Sequence, residues 1–161
     1  GDAMPTETVD LLVLSQEAVA NLQDAAAKQQ VSLSVGGDHA PVTGVRRLLY
    51  EVIFNLCDNA IKYNVPDGTV KVQVSSENGT SSVTVSDTGI GIAPEHQSRV
   101  FERFYRVDKA RSRQAGGSGL GLSIVHDMVL RNDSTISVAP RPEGGTCFTV
   151  VFPAFDIEED I

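Results

Sequence analysis

The sequence predicts an α+β domain in which one β-sheet carries helices on one face. Three observations predict it: a long amphipathic helix pattern at Val45–Tyr63, two β-rich runs meeting at Asn78-Gly79, and a second β-rich pair near the end of the chain. Taken in order, Thr8 to Gln29 reads mostly as a helix after a short extended start, with Leu11, Leu14, Ala18 and Leu22 at helical spacing. Val31 to Val35 alternates and stops at Gly36-Gly37, the pattern of a strand followed by a turn. In Val45–Tyr63 the stripe Leu49, Val52, Ile53, Leu56 and Ala60 should face the sheet, and Asn64 and Pro66 end the helix. Thr69 to Ser75 and Ser82 to Ser86 flank Asn78-Gly79, a strong hairpin signal. A short helix is expected near Pro94, a polar basic loop after Tyr105, and a final helix over Leu120 to Leu130, which makes about three helices of any length. Thr135 to Val138 and Thr146 to Phe152 then form a second hairpin across Arg141 to Gly145.

Composition bounds the reading. The chain has 161 residues, 41% apolar and 21% charged, enough for a core without disulfides. No stretch is long or apolar enough to span a bilayer. Residues 1–5 read as an expression remnant, 6–154 as one domain, and 155–161 as an acidic tail. Cys57 in a helix and Cys147 in an apolar run are expected to be small core residues rather than a bridge, which fits a reducing cytoplasm. The net charge of −8 leaves no broad basic surface, so nucleic acid is not an expected partner. Basic residues concentrate instead in one stretch that includes Arg99, Arg103, Arg106, Lys109, Arg111 and Arg113.

Several residue sets carry chemistry. Glu51, Asn55, Asn59 and then Lys62 or Tyr63 step by three or four around the polar face of the second long helix, so all can point at one ligand. Solvated faces favour Lys, Glu, Gln and Arg, whereas Asn costs up to roughly 0.7 kcal/mol per helical position relative to Ala. Repeated Asn therefore suggests stability given up for a site. An amide oxygen suits Mg²⁺, the Lys62 ammonium suits phosphate, and the Tyr63 ring can pack on a base. Asp87, after an alternating strand, can only accept hydrogen bonds when ionised, which matches the exocyclic amine of adenine and not the carbonyl of guanine. Gly89 and Gly91 would let the backbone pass close to the ring. Gly116 to Leu122 runs straight into an apolar helix, so its backbone N–H groups can cradle phosphate, although the spacing is neither a P-loop nor a dinucleotide motif.

Together, Glu51–Tyr63 (EVIFNLCDNAIKY), Asp87–Ile92 (DTGIGI), Phe101–Tyr105 (FERFY) and Gly116–Val125 (GGSGLGLSIV) resemble the N, G1, F and G2 boxes of the catalytic ATP-binding domain of sensor histidine kinases, within the superfamily that includes gyrase, the Hsp90 chaperones and MutL. The resemblance covers roughly Val9 to Pro153. It implies a Bergerat-type fold, a two-layer α/β sandwich with a mixed, mostly antiparallel sheet, and ATP with Mg²⁺ as cofactors. By this resemblance Asn55 is the metal ligand, and Glu51, Asn55 and Lys62 are catalytic. Asn59, Tyr63, Asp87, Gly89, Gly91, Ile92, Arg106, Gly117, Ser118, Gly119, Leu120, Gly121, Leu122 and Thr146 bind nucleotide. The counterpart of Glu51 activates water in the superfamily's ATPases, and a supporting structural role is the competing expectation in a histidine kinase. Thr146 matches a threonine that assists adenine binding through water, and a plain strand position is the other reading.

The chain departs from the family pattern in two places. Asn132, Asp133 and Ser134 stand where His-Gly-Gly is usual, a change the turn can absorb because Asn and Asp tolerate the left-handed conformation. None of His39, His96 and His126 sits in a phosphoacceptor motif, so the acceptor is expected on a separate helical dimerisation domain. The implied partners are that domain and a response regulator receiver domain. The implied parent is a homodimer anchored in the cell membrane, with this domain in the cytoplasm. An anti-sigma-type serine kinase and an ATPase conformational module are the alternatives on the same fold.

Overall fold

The computed structural model of the chain describes residues 5–89 and 134–152. The described elements run β1 (Glu7–Asp10), α1 (Leu11–Lys28), β2 (Ser32–Gly37), β3 (Pro41–Gly44), α2 (Arg46–Lys62), β4 (Thr69–Glu77), β5 (Thr80–Asp87), β6 (Thr135–Pro140) and β7 (Thr146–Phe152). They form a five-stranded sheet in the order β2-β4-β5-β7-β6 and a two-stranded ribbon of β1 with β3. Only β2 with β4 is parallel among these pairs; the others are antiparallel. The sheet is therefore mixed and mostly antiparallel, as expected. Two of the expected helices are described; the segments near Pro94, after Tyr105 and at Leu120–Leu130, like the tail 155–161, lie outside the described residues.

Register makes the core. Val35, Val72, Val85, Phe148 and Val138 form one row across all five strands, and Val74, Val83, Val150 and Ile136 line the row beside it. Because successive side chains alternate between faces, these rows share the face that α1 and α2 cover. On α2, Leu49, Val52, Ile53, Leu56 and Ala60 are all buried, joined by Cys57 and Ile61. Core burial on the order of 25 cal/mol per Å² of apolar surface is what holds these layers together.

The ends of the elements are set locally. Asp10 caps α1, accepting from the Leu12 N–H at 3.0 Å and, across the ribbon, from the Ala40 N–H at 3.0 Å. The extended start is thus a true strand, and the helix begins at Leu11 rather than Thr8, because the Leu11 N–H donates to the Ala40 carbonyl and the Leu12 N–H to the Asp10 carboxylate. α1 closes with Gln30 at φ 59°, the Gln30 and Val31 N–H groups donating to the Ala27 and Ala26 carbonyls. Asn78 and Gly79 both have positive φ, as a two-residue hairpin with the right-handed twist requires. The cysteines are both free. Cys57 is a core residue, but Cys147 is half-buried: strand alternation turns it to the face away from the helices, beside Ser86. No helix among the described residues is long and apolar enough to cross a membrane.

Candidate functional site

α2 supplies one wall of the site. Glu51, Asn55, Asn59, Lys62 and Tyr63 are all half-buried, opposite the buried stripe of the helix. Asn55 donates from Nδ2 to the Glu51 carbonyl at 2.7 Å, and Asn59 donates from Nδ2 to the Asn55 carbonyl at 3.0 Å. A carbonyl oxygen only accepts, so the amide nitrogen must face it, and among the described contacts each Asn keeps its Oδ1 as an acceptor. Two neutral oxygens a helical turn apart are a donor set that a hard cation such as Mg²⁺ accepts. Lys62 pairs with Asp58 at 3.0 Å, one turn back on the same helix.

The opposing wall is the end of β5. Strand parity puts Asp87 on the same face as Val83 and Val85, in the row Leu33–Val70–Asp87–Thr146, and it is accordingly buried. Its Oδ1 accepts from the Gly89 N–H at 2.9 Å and the Thr146 N–H at 3.2 Å. Burial pushes its carboxyl pKa up, opposed by those two hydrogen bonds and by the nearby Arg141 charge, and the net direction is upward. With Oδ1 engaged by two backbone donors, Oδ2 is the oxygen available to a ligand among the described contacts. Thr146 thus acts on the site through its backbone N–H.

Helix and strand meet at their ends. A Cβ on Gly89 would lie 2.5 Å from the Tyr63 carbonyl oxygen and 3.1 Å from the Asn64 Cα, so only glycine lets the turn after β5 approach α2 this closely. Asn64 ties the junction: buried, it donates from Nδ2 to the Thr69 carbonyl at 3.0 Å and accepts on Oδ1 from the Val65 N–H at 2.8 Å and the Thr88 hydroxyl at 3.3 Å. Thr88 Oγ1 in turn accepts from the Thr69 N–H at 2.8 Å. The structure therefore brings Tyr63, Asp87, Gly89 and Thr146 together and sets Glu51, Asn55 and Asn59 along the adjoining helix face. Gly91, Ile92, Arg106, Gly117, Ser118, Gly119, Leu120, Gly121 and Leu122 lie outside the described residues.

Asn64, Thr88 and Arg141 were not singled out as site residues by the sequence. Asn64 reads there as a helix stop and Arg141 as a hairpin end. The Thr88–Asn64 bond spans 24 residues and the Arg141–Asp87 bond 54, so local pattern carries no signal of either.

The sequence model of the family described as "Histidine kinase-, DNA gyrase B-, and HSP90-like ATPase" matches residues 44–156. The chain belongs to that family. Within this ATPase family it is similar to the sensor-like histidine kinase SenX3 of Mycobacterium tuberculosis, 39% identical over 155 residues that cover 95% of this chain and 38% of the relative. It is also similar to the phosphate regulon sensor protein PhoR of Pseudomonas aeruginosa, 34% identical over 99% of this chain and 35% of that one. The chain thus spans well under half the length of these curated relatives. Among solved structures, the mycobacterial sensor histidine kinase MprB superposes with a TM-score of 0.81 at 28% identity, covering 93% of this chain and 98% of that one. The catalytic domain of histidine kinase ThkA, at 23% identity over 94% and 97% of the two chains and a TM-score of 0.82, shares the fold. Across these comparisons the chain matches the catalytic ATP-binding domain of sensor histidine kinases.

Proposed function

We propose that residues 6–154 form a magnesium-dependent kinase domain that passes the γ-phosphoryl group of ATP to a histidine on a separate dimerisation domain, for relay to a response regulator receiver domain. The parent is read as a membrane-anchored homodimer that presents this domain to the cytoplasm. The observation that carries the reading is the paired Asn55 and Asn59 amides, each nitrogen tied to the preceding turn and each oxygen left as an acceptor on one helix face. The names of the similar sensor kinases support the histidine acceptor over a serine kinase or a conformational ATPase.

In this reading the chain's own residues do the positioning. Asp87 holds the adenine amine, Tyr63 packs on the base and Gly89 makes room for it. Asn55 would hold Mg²⁺ together with the phosphates, whose negative charge the ion would offset, and Asn59, one turn on, would reach the phosphates or metal-bound water. The glycine segment Gly117–Leu122 and Arg106 provide backbone donors and positive charge for the phosphates. Lys62 adds an ammonium; its half-exposed pairing with Asp58 is worth roughly 0–1 kcal/mol, so a phosphate can draw it away. Glu51, one turn before Asn55, is placed to accept a proton from the attacking group. Reaction rate then comes from alignment and charge stabilisation rather than from a covalent enzyme intermediate.

The test supplies the parent's helical domain separately, with labelled ATP and Mg²⁺. Acid-labile label should appear on a histidine of the helical domain, and Asn55→Ala should abolish its transfer while α2 stays folded, since Ala is the better helix former. Acid-stable label on a serine would move the assignment to a serine kinase.

A further inference from the structure

The β6–β7 turn closes onto the proposed base pocket, the residue at its end, Thr146, donating to the Asp87 carboxylate. Arg141 opens this turn, its N–H donating to the Gly145 carbonyl at 3.2 Å while the Gly144 N–H donates to the Arg141 carbonyl at 3.0 Å. The guanidinium reaches out of the turn, and its Nη1 donates to the main-chain carbonyl of Asp87 at 3.0 Å. Nη2 faces Glu143 at 3.4 Å; the Arg141 side chain is 27% exposed and that of Glu143 68%. From the same turn, Gly145 at φ +98° backs onto the Asp87 carbonyl with no room for a Cβ, and the next residue donates its N–H to the carboxylate. Three parts of one turn thus converge on a single residue of the neighbouring strand.

We propose that Arg141 is a positioning residue of the nucleotide site that acts through Asp87, fixing the main chain of the acceptor and placing a positive charge beside its buried carboxylate. This rests on the reading that Asp87 receives the adenine amine. The Arg141 side chain is less than a third exposed, so its field is only partly screened by water. Among the described residues, the other elements packed around Asp87 do not duplicate that charge. Its strand neighbours are Val70 and Thr146, the α2 terminus presents Tyr63 and Asn64, and Lys62 on α2 is paired with Asp58. Burial favours the protonated carboxyl, which would donate where the adenine amine needs an acceptor, and the Arg141 charge opposes this. Loss of Arg141 should therefore weaken ATP binding most at acid pH.

The experiment is calorimetry on the whole chain with Mg²⁺ and a non-hydrolysable ATP analogue, from about pH 5 to about pH 8. Arg141→Gln keeps a donor but not the charge, and should move the acid limb of affinity up by on the order of one pH unit. Arg141→Lys keeps the charge and should restore most of the wild-type profile. In the Asp87→Asn background, which removes the carboxyl at this position and leaves only the nucleotide's own titration, Arg141→Gln should leave the profile unmoved. An equal loss at every pH in Arg141→Gln would make the arginine a structural brace and overturn the proposal, as would a shift that persists without Asp87. Wild-type affinity in Asp87→Asn alone would instead remove Asp87 from the base site, and the Arg141 proposal with it.

Discussion

In the proposed function, Asp87 carries opposite demands from folding and from binding. Its folded-state pKa is raised by burial, so protonation favours the folded state; that contribution is full at low pH and is lost as pH rises through the folded-state pKa. At neutral pH the ionised carboxylate therefore weighs against the fold, as site residues often do. Asp87→Asn keeps an oxygen for the Gly89 and Thr146 N–H groups and removes the charge. It should melt no lower than wild type at neutral pH yet bind ATP more weakly by about 1–3 kcal/mol, measured by thermal denaturation beside calorimetry. Cys57 illustrates a different case, a titratable group enclosed in the apolar core. Burial, with a smaller push from the Asp58 charge, lifts its thiol to about 12, so little thiolate forms at neutral pH. Alkylation followed by mass spectrometry should label the half-buried Cys147 first and Cys57 only as the protein unfolds.

At the scale of elements, α1 depends on one side chain for its start. Asp10 accepts from Leu12 and Ala40 and pairs with His39 at 2.6 Å, linking the helix to the β1–β3 ribbon. Burial alone would raise the pKa of Asp10, but the hydrogen bonds from Ala40, His39 and Leu12 outweigh it, and the net direction is down. The stabilisation is therefore present above the unfolded-state pKa and lost as pH falls through the lower folded-state value. Asp10→Ala should cost about 0.5–2 kcal/mol in denaturant unfolding at neutral pH, and the difference from wild type should shrink on acidification. Strand β3 escaped the sequence reading because four residues, Pro41–Gly44, are too few to show a period; they become a strand by pairing with β1 more than thirty residues earlier. The parallel partnership of β2 with β4 was likewise invisible, since it needs α2 as the crossover between them.

The whole chain should behave as a nucleotide-binding domain without an acceptor of its own. His39, the described histidine, lies in the loop between β2 and β3 and is engaged by Asp10, remote in the fold from the Asp87 end of β5. The isolated chain should bind Mg·ATP by calorimetry and carry almost no phosphohistidine after incubation with labelled ATP; stoichiometric label on His126 would contradict this. By itself the sequence determined the fold class, the helix over Val45–Tyr63 with its buried stripe, and both hairpins, because helical period, strand alternation and turn chemistry are local properties. It also determined the family, since the motif residues are contiguous in the chain. Only the tertiary structure decided that Arg141 and Thr146 brace Asp87 from another hairpin, that Asn64 and Thr88 lock the helix end to the strand end, and that Cys147 faces away from the core. Those outcomes depend on which distant segments pair and in what register. The free energy that selects the register is the burial of the whole core, which no single stretch of sequence contains.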